Sequence, residues 1–98
     1  MARIELAPEV FNDFDRFFEH MARFEVEDAP LRIAEIMQAV DILTHSPLIG
    51  RPVRGGKREL IIGRESHGYI ALYRFVAGID TVFILAIRSQ HESGYKRP

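Results

Sequence analysis

His91 and Glu92 stand side by side near the C-terminus, with Arg88 three residues before the histidine and Tyr95 three after the glutamate. An imidazole beside a carboxylate could work as an acid–base pair, and a phenol could protonate a leaving oxygen. Arginines such as Arg88 and the earlier Arg64 could steady the charge on a phosphate. Together Arg64, Arg88, His91, Glu92 and Tyr95 are the types needed to cut a phosphodiester by attack of a neighbouring hydroxyl. Against this, residues adjacent in sequence need not face one cleft, and the tail that carries them is expected to be exposed. Other chemistries have less behind them. The four histidines (20, 45, 67 and 91) show no metal-ligand spacing, and no cysteine accompanies them. Gly55-Gly56 lacks the rest of a phosphate-binding loop. No nucleophile triad can be assembled, and no cofactor is expected.

Arg58, Arg64 and Arg88 belong to a basic half. Residues 1–45 carry ten acids against four arginines, whereas residues 46–98 carry nine Lys and Arg against four acids. The near-zero net charge of −1 hides this split. A basic half suits an anionic partner, a phosphate backbone or an acidic protein segment, although solvated surface charge alone would give the same count. With 98 residues the chain fits one domain, residues 1–98, with no room for a second core. The absence of cysteine favours a reducing compartment. Residues 1–5 have no apolar run of the kind a signal peptide needs, and the longest such run, Val82 to Ile87, is far too short to cross a membrane. The expectation is a soluble, cytoplasmic protein.

The elements that must position these residues are legible as periods. Arg3 to Leu6 alternates like a strand with one buried face. After Pro8, a first-turn residue, Val10, Phe14, Phe17, Met21 and Phe24 recur at helical spacing, with Phe11 and Phe18 widening the stripe. Asn12, Asp13, Asp15, Arg16, Glu19 and Arg23 are expected on the opposite, solvent side. Asp28 reads as an N-cap ahead of a second stripe, Ile33, Ile36, Met37, Val40 and Leu43. The short connection implies a helical hairpin. Thr44 to Lys57 reads as a loop because Pro47, Gly50, Pro52, Gly55 and Gly56 interrupt it. Arg58–Ile62, Tyr69–Val76 and Thr81–Arg88 then read as three strands of an antiparallel meander, joined at 63–68 and at 77–80. Arg74, in line with Ile70, Leu72 and Val76, is expected to be buried in a structural ion pair. The fold class is α+β, two layers, in the order strand-helix-helix-strand-strand-strand.

Several stretches, taken in order, resemble the RelE/ParE superfamily of type II toxins. Ser46-Pro47-Leu48-Ile49-Gly50-Arg51-Pro52 resembles its "P-x-x-G-R-P" approach to a strand that opens "R-E-L", here Arg58-Glu59-Leu60. Tyr69 to Arg74 is similar to a "Y-x-x-x-Y-R" strand. Val82 to Arg88, followed by Ser89 to Tyr95, is similar to the last strand and polar tail. The resemblance covers essentially the whole chain, with the ParE-like branch favoured. It implies a cognate antitoxin of the ParD/RelB kind that wraps the toxin, and a toxin–antitoxin hetero-oligomer.

The superfamily divides between ribosome-dependent mRNA endonucleases and plasmid-stabilisation toxins that inhibit DNA gyrase. Aligned on Gly68-Tyr69, the strand lysines of the nucleases fall at Ile61 and Gly63. Their arginines fall at Ile70 and near Gln90, with Arg88 two residues away, while Tyr95 lies close to their tyrosine. Three cationic positions, at Ile61, Gly63 and Ile70, are thus neutral or apolar. The resemblance therefore implies a gyrase inhibitor, and the basic half offers Arg58, Arg64 and Arg88 as its target contacts. The competing readings are an endoribonuclease acting on ribosome-bound mRNA and an inactive toxin fold kept for binding.

Overall fold

The near-unbroken apolar strand 81–89 can be buried on both faces only inside a sheet, between two other strands. In the computed structural model, which describes residues 1–23, 29–63 and 68–96, that is where it sits. The elements are β1 (Arg3–Leu6), α1 (Glu9–Arg23), α2 (Ala29–Val40), a 3-10 turn (Asp41–Thr44), β2 (Arg51–Val53), β3 (Lys57–Ile62), β4 (Tyr69–Val76), a 3-10 turn (Ala77–Ile79) and β5 (Thr81–Ser89). The sheet order is β1-β5-β4-β3-β2. The expected two-layer α+β arrangement is the one the chain adopts, with both helices and the 3-10 turn packed into a single core on the sheet.

Two features of the sheet go beyond the expected meander. β1 runs parallel to β5, Arg3 opposite Thr81 and Leu6 opposite Ile84, because the whole chain returns before the two can pair. β2 is a fifth strand inside the stretch read as loop, paired antiparallel with β3. Pro52 sits within it because β2 is the last strand of the sheet, where a missing N–H breaks no ladder. The turn from β2 to β3 needs positive φ at Gly55 (84°) and Gly56 (71°). Between β4 and β5 the register slips at Leu72/Tyr73: Leu72 faces Ala86 but Tyr73 faces Ile84. Leu85 is the extra residue, and the slip lets Ile84 and Ile87, three apart, both enter the core fully buried.

The core itself follows the stripes. Val10, Phe14, Phe17 and Met21 of α1 and Ile36, Val40 and Leu43 meet Ile62, Ala71, Tyr73, Val82, Ile84 and Ile87 of the sheet. Phe11 and Phe18 do not widen the stripe. They are 55% and 39% exposed, since each lies one residue, about 100°, around the helix from its buried neighbour. Asp13 reverses its expectation, being 1% exposed rather than on the solvent side. Arg74 reverses too: its side chain is exposed on the sheet face without helices and donates to the Gly55 carbonyl at 2.8 Å. No second layer covers that end of β4, so no partner acid is required. Phe24, Asp28 and the expected turn residues Arg64, Ser66 and His67 lie outside the described residues.

Replacing Phe14 or Phe17 with Ala should each cost roughly 3–5 kcal/mol, as other buried aromatic truncations do. Urea denaturation followed by circular dichroism measures this. A midpoint equal to wild type for either variant would mean that the 10/14/17/21 stripe is not the buried one.

Candidate functional site

Position 13 lies on the flank of the α1 stripe, between Val10 and Phe17, and its carboxylate is driven under the helix with them. There β5 runs on past Leu6, the end of β1, and from Leu85 to Ser89 it has no strand beside it on that edge among the described residues. Asp13 fills the gap by accepting the Ile87 N–H at 2.9 Å. Arg16, one turn on, donates to the Ile87 carbonyl at 3.3 Å and to the other Asp13 oxygen at 2.9 Å. The pair offers the strand an acceptor and a donor, as a neighbouring peptide would. Arg16 also grips Glu92 with two bonds, Nε to Oε1 at 2.9 Å and Nη2 to Oε2 at 3.0 Å. Burial pulls the Arg16 pKa down, but bonds to Glu92 and Asp13 outweigh it and hold the guanidinium firmly charged.

A second cluster forms where β3 and β4 face the loop before β2. Tyr73 is fully buried, and its hydroxyl donates to the Pro47 carbonyl at 2.8 Å and accepts the Gly50 N–H at 2.8 Å. Burial raises the Tyr73 pKa. A Cβ on Gly50 would stand 2.6 Å from the Tyr73 ring and 2.8 Å from the Glu59 carbonyl, so only glycine fits. Arg58, directly across from Tyr73, donates to the carbonyls of Gly50 at 2.8 Å and Leu48 at 3.1 Å.

The third cluster lies on the sheet face turned away from the helices. Alternation along β3, β4 and β5 places Glu59, Ile61, Ile70, Leu72, Arg74 and Arg88 there. Arg51 of β2 reaches Glu59 Oε1 with Nη2 at 2.8 Å and Nε at 3.0 Å. The Tyr95 hydroxyl donates to the other oxygen, Oε2, at 2.5 Å. Arg88 lies over the Tyr95 ring, 5.3 Å from its centre, and donates to the Glu92 carbonyl at 2.8 Å. Burial pushes the Glu59 pKa up, but the bonds from Tyr95 and Arg51, with the charges of Arg51 and Arg88, bring it below its ordinary value. Tyr95 moves the other way, raised by burial and by the Glu59 carboxylate it faces, so it keeps its proton.

The five residues named as a cleavage set are thus divided. Glu92 is engaged by Arg16 on the helix side, whereas Tyr95 and Arg88 are on the opposite face. His91 is exposed and lines a cleft of about 420 Å³ with Arg16, Phe17, His20, Met21, Tyr69, Ser89 and Glu92. Arg64 lies outside the described residues. Of the three arginines named for binding, Arg58 is committed to loop carbonyls and Arg88 to the tail. The residues missed were Asp13, Arg16, Arg51, Glu59 and Tyr73. Asp13 left a trace, a charge on the edge of an apolar stripe, and Arg51, Glu59 and Tyr73 stood in the stretches that resemble the family but without a role of their own.

A family model described as the ParE toxin of the type II toxin–antitoxin system parDE matches residues 4–94. Among solved structures, a chain of the chromosomal ParDE toxin–antitoxin system from P. aeruginosa is similar in fold, with a TM-score of 0.73 at 22% identity. The match covers 91% of this chain and 96% of that one. Curated proteins provide no match.

The Glu59 cluster has a pH signature. A carboxylate whose folded pKa lies below its unfolded value, about 4.3, stabilises the fold above that value and loses the contribution as pH falls through the folded pKa. Glu59→Gln should therefore be less stable than wild type at neutral pH and should approach it at the acid end of the same titration. Urea midpoints taken across that range test this, and parallel curves would deny Glu59 the role.

Proposed function

The chain belongs to the ParE toxin family of type II toxin–antitoxin systems, and from that membership we propose that it acts by binding, as an inhibitor of DNA gyrase held in check by a cognate antitoxin. The observation that carries the reading is the bidentate grip of Arg16 on Glu92. A general base must aim a lone pair at the attacking hydroxyl, in one cleft with the acid and the cations. Glu92 is spanned by a guanidinium, and the phenol of Tyr95 lies across the sheet from it with its proton held towards Glu59. His91, exposed in the turn after β5, has no carboxylate partner left in Glu92. Cleavage chemistry would need these three to converge.

On this reading the basic half does its work by attraction. Arg58, Arg64 and Arg88 are the proposed target contacts, joined by Arg51 and Arg74, which share the open sheet face with Arg88. Charges spread over a face raise the association rate and fix orientation rather than drive a chemical step. The antitoxin is the second partner, in a toxin–antitoxin hetero-oligomer. A gyrase inhibitor works in the cytoplasm, and no described helix is long and apolar enough to cross a membrane.

Induction of the chain without its antitoxin should arrest growth with gyrase-linked DNA breaks, and purified protein should impair supercoiling by gyrase while leaving mRNA on programmed ribosomes intact. His91→Ala should keep toxicity within a few-fold of wild type, against the 10²–10⁴-fold loss expected for a general acid or base. Charge reversal at Arg74 should weaken toxicity in a salt-dependent way. A ribosomal mRNA cut that disappears in His91→Ala would replace this reading with the endonuclease. A harmless chain whose neighbouring gene product does not co-purify would leave an inactive fold.

A further inference from the structure

After β5 the chain turns, with the Glu92 amide on the Ser89 carbonyl at 3.2 Å, and then crosses from one side of the sheet to the other. Glu92 is fastened to Arg16 beside the helices, and Tyr95 is fastened to Glu59 on the open face. The Tyr95 ring, tied to Arg88 on β5 and to Glu59 on β3, spans β4 between them, where Ile70 and Leu72 lie. Ile70 is only 6% exposed although its side chain points away from both helices. A tail fastened to opposite faces of the sheet is a strap. Both anchors are side-chain bonds, which can open while the sheet stays intact.

The place under the strap is not fully satisfied by it. Arg88 Nε is buried and has no hydrogen-bond acceptor among the described residues. The tail has one carboxylate between Gln90 and Lys96, that of Glu92, and Arg16 takes it away to the other side. What the face lacks is therefore an acid next to the ring that Arg88 already covers. Around it Arg51, Lys57, Arg74 and Arg88 outnumber Glu59, so the rim also favours an acidic visitor.

We propose that the open sheet face at Arg88 is a docking site for a protein segment carrying an aromatic ring beside a carboxylate, and that residues 90–96 are a strap that keeps it closed in the free chain. The segment's ring takes the seat of Tyr95 and its carboxylate meets Arg88 Nε, a contact the strap cannot make. As part of the same chain, the strap has a high effective concentration at the site, so the visitor must win through that extra charged bond. A protein is favoured over nucleic acid because Ile61, Leu72 and Phe83 give the face apolar ground.

Two measurements on the full chain test this without gyrase or antitoxin, so they succeed or fail independently of the proposed target. Hydrogen exchange should show amides 90–96 opening about tenfold more readily in Tyr95→Phe and in Glu59→Gln, with the centres of β4 and β5 still protected. A fluorescein-labelled peptide Glu-Ser-Gly-Tyr-Glu, followed by anisotropy, should bind Tyr95→Phe several-fold more tightly than wild type. The gain should vanish when Arg88→Lys is added, a change that keeps the charge but removes Nε. Unchanged exchange in the tail would overturn the strap. Peptide binding that is equal in wild type and Tyr95→Phe, or insensitive to Arg88→Lys in a folded variant, would overturn the docking site. So would a single-stranded oligonucleotide that displaces the peptide with the same dependence on Arg88.

Discussion

A carboxylate placed where water cannot reach it must find partners or it will not stay charged, and Asp13 finds them in the open edge of β5. β5 needs a neighbour on both sides, and β1 is four residues long. Without Asp13 and Arg16, the Ile87 N–H and carbonyl would be left facing the underside of α1. The two side chains complete the sheet where the backbone runs out. In doing so they set the height and rotation of α1 over β5, and with it the position of Phe14 and Phe17 in the core. The same guanidinium then reaches Glu92, so the edge, the helix and the tail share one charged knot. Replacing half of such a knot leaves an uncompensated buried charge, which is why its members are less exchangeable than their surface-type chemistry suggests.

The stretches that resemble the toxin family have a structural account in this chain. Pro47, Gly50, Arg58 and Tyr73 lie far apart in sequence, yet they are one assembly: the tyrosine hydroxyl and the guanidinium bind the carbonyls and amide of a loop that only glycine lets pass so close. The loop in turn delivers β2 to the edge of the sheet and Arg51 to Glu59. The motif is thus about architecture first. Its bearing on partners is indirect, through the open face that β2 extends.

The helices and three long strands were legible because their burial repeats with the period of the element, and Val10, Phe14, Phe17 and Met21 needed no tertiary information to be placed. β2 was not legible, because Pro52 and the flanking glycines are breakers everywhere except at an edge, and no local pattern announces an edge. The site was harder for a related reason. Arg58, Arg88, Glu92 and Tyr95 were visible as chemical types, but what each one touches is decided by pairings across the fold. Arg16 and Glu92 are 76 residues apart, and Glu59 and Tyr95 are 36 apart. Spacing along the chain placed Glu92 beside His91, whereas folding set it against Arg16.

The parallel pairing of β1 with β5 also bears on how the protein is made. The first strand finds its partner only when Thr81 to Ile84 have been synthesised, and the charged knot closes only with Glu92. Until then a nascent chain holds α1 and α2 with their apolar stripes uncovered and β4 without the strand that should flank it. Contacts of such long sequence separation fold slowly and leave sticky intermediates open to chaperones and to aggregation. A ribosome that stalls before β5 releases a product lacking both the strand that joins β1 to β4 and the latch on its helix. The native surface therefore comes into being only once β5 and the turn that carries Glu92 have been made.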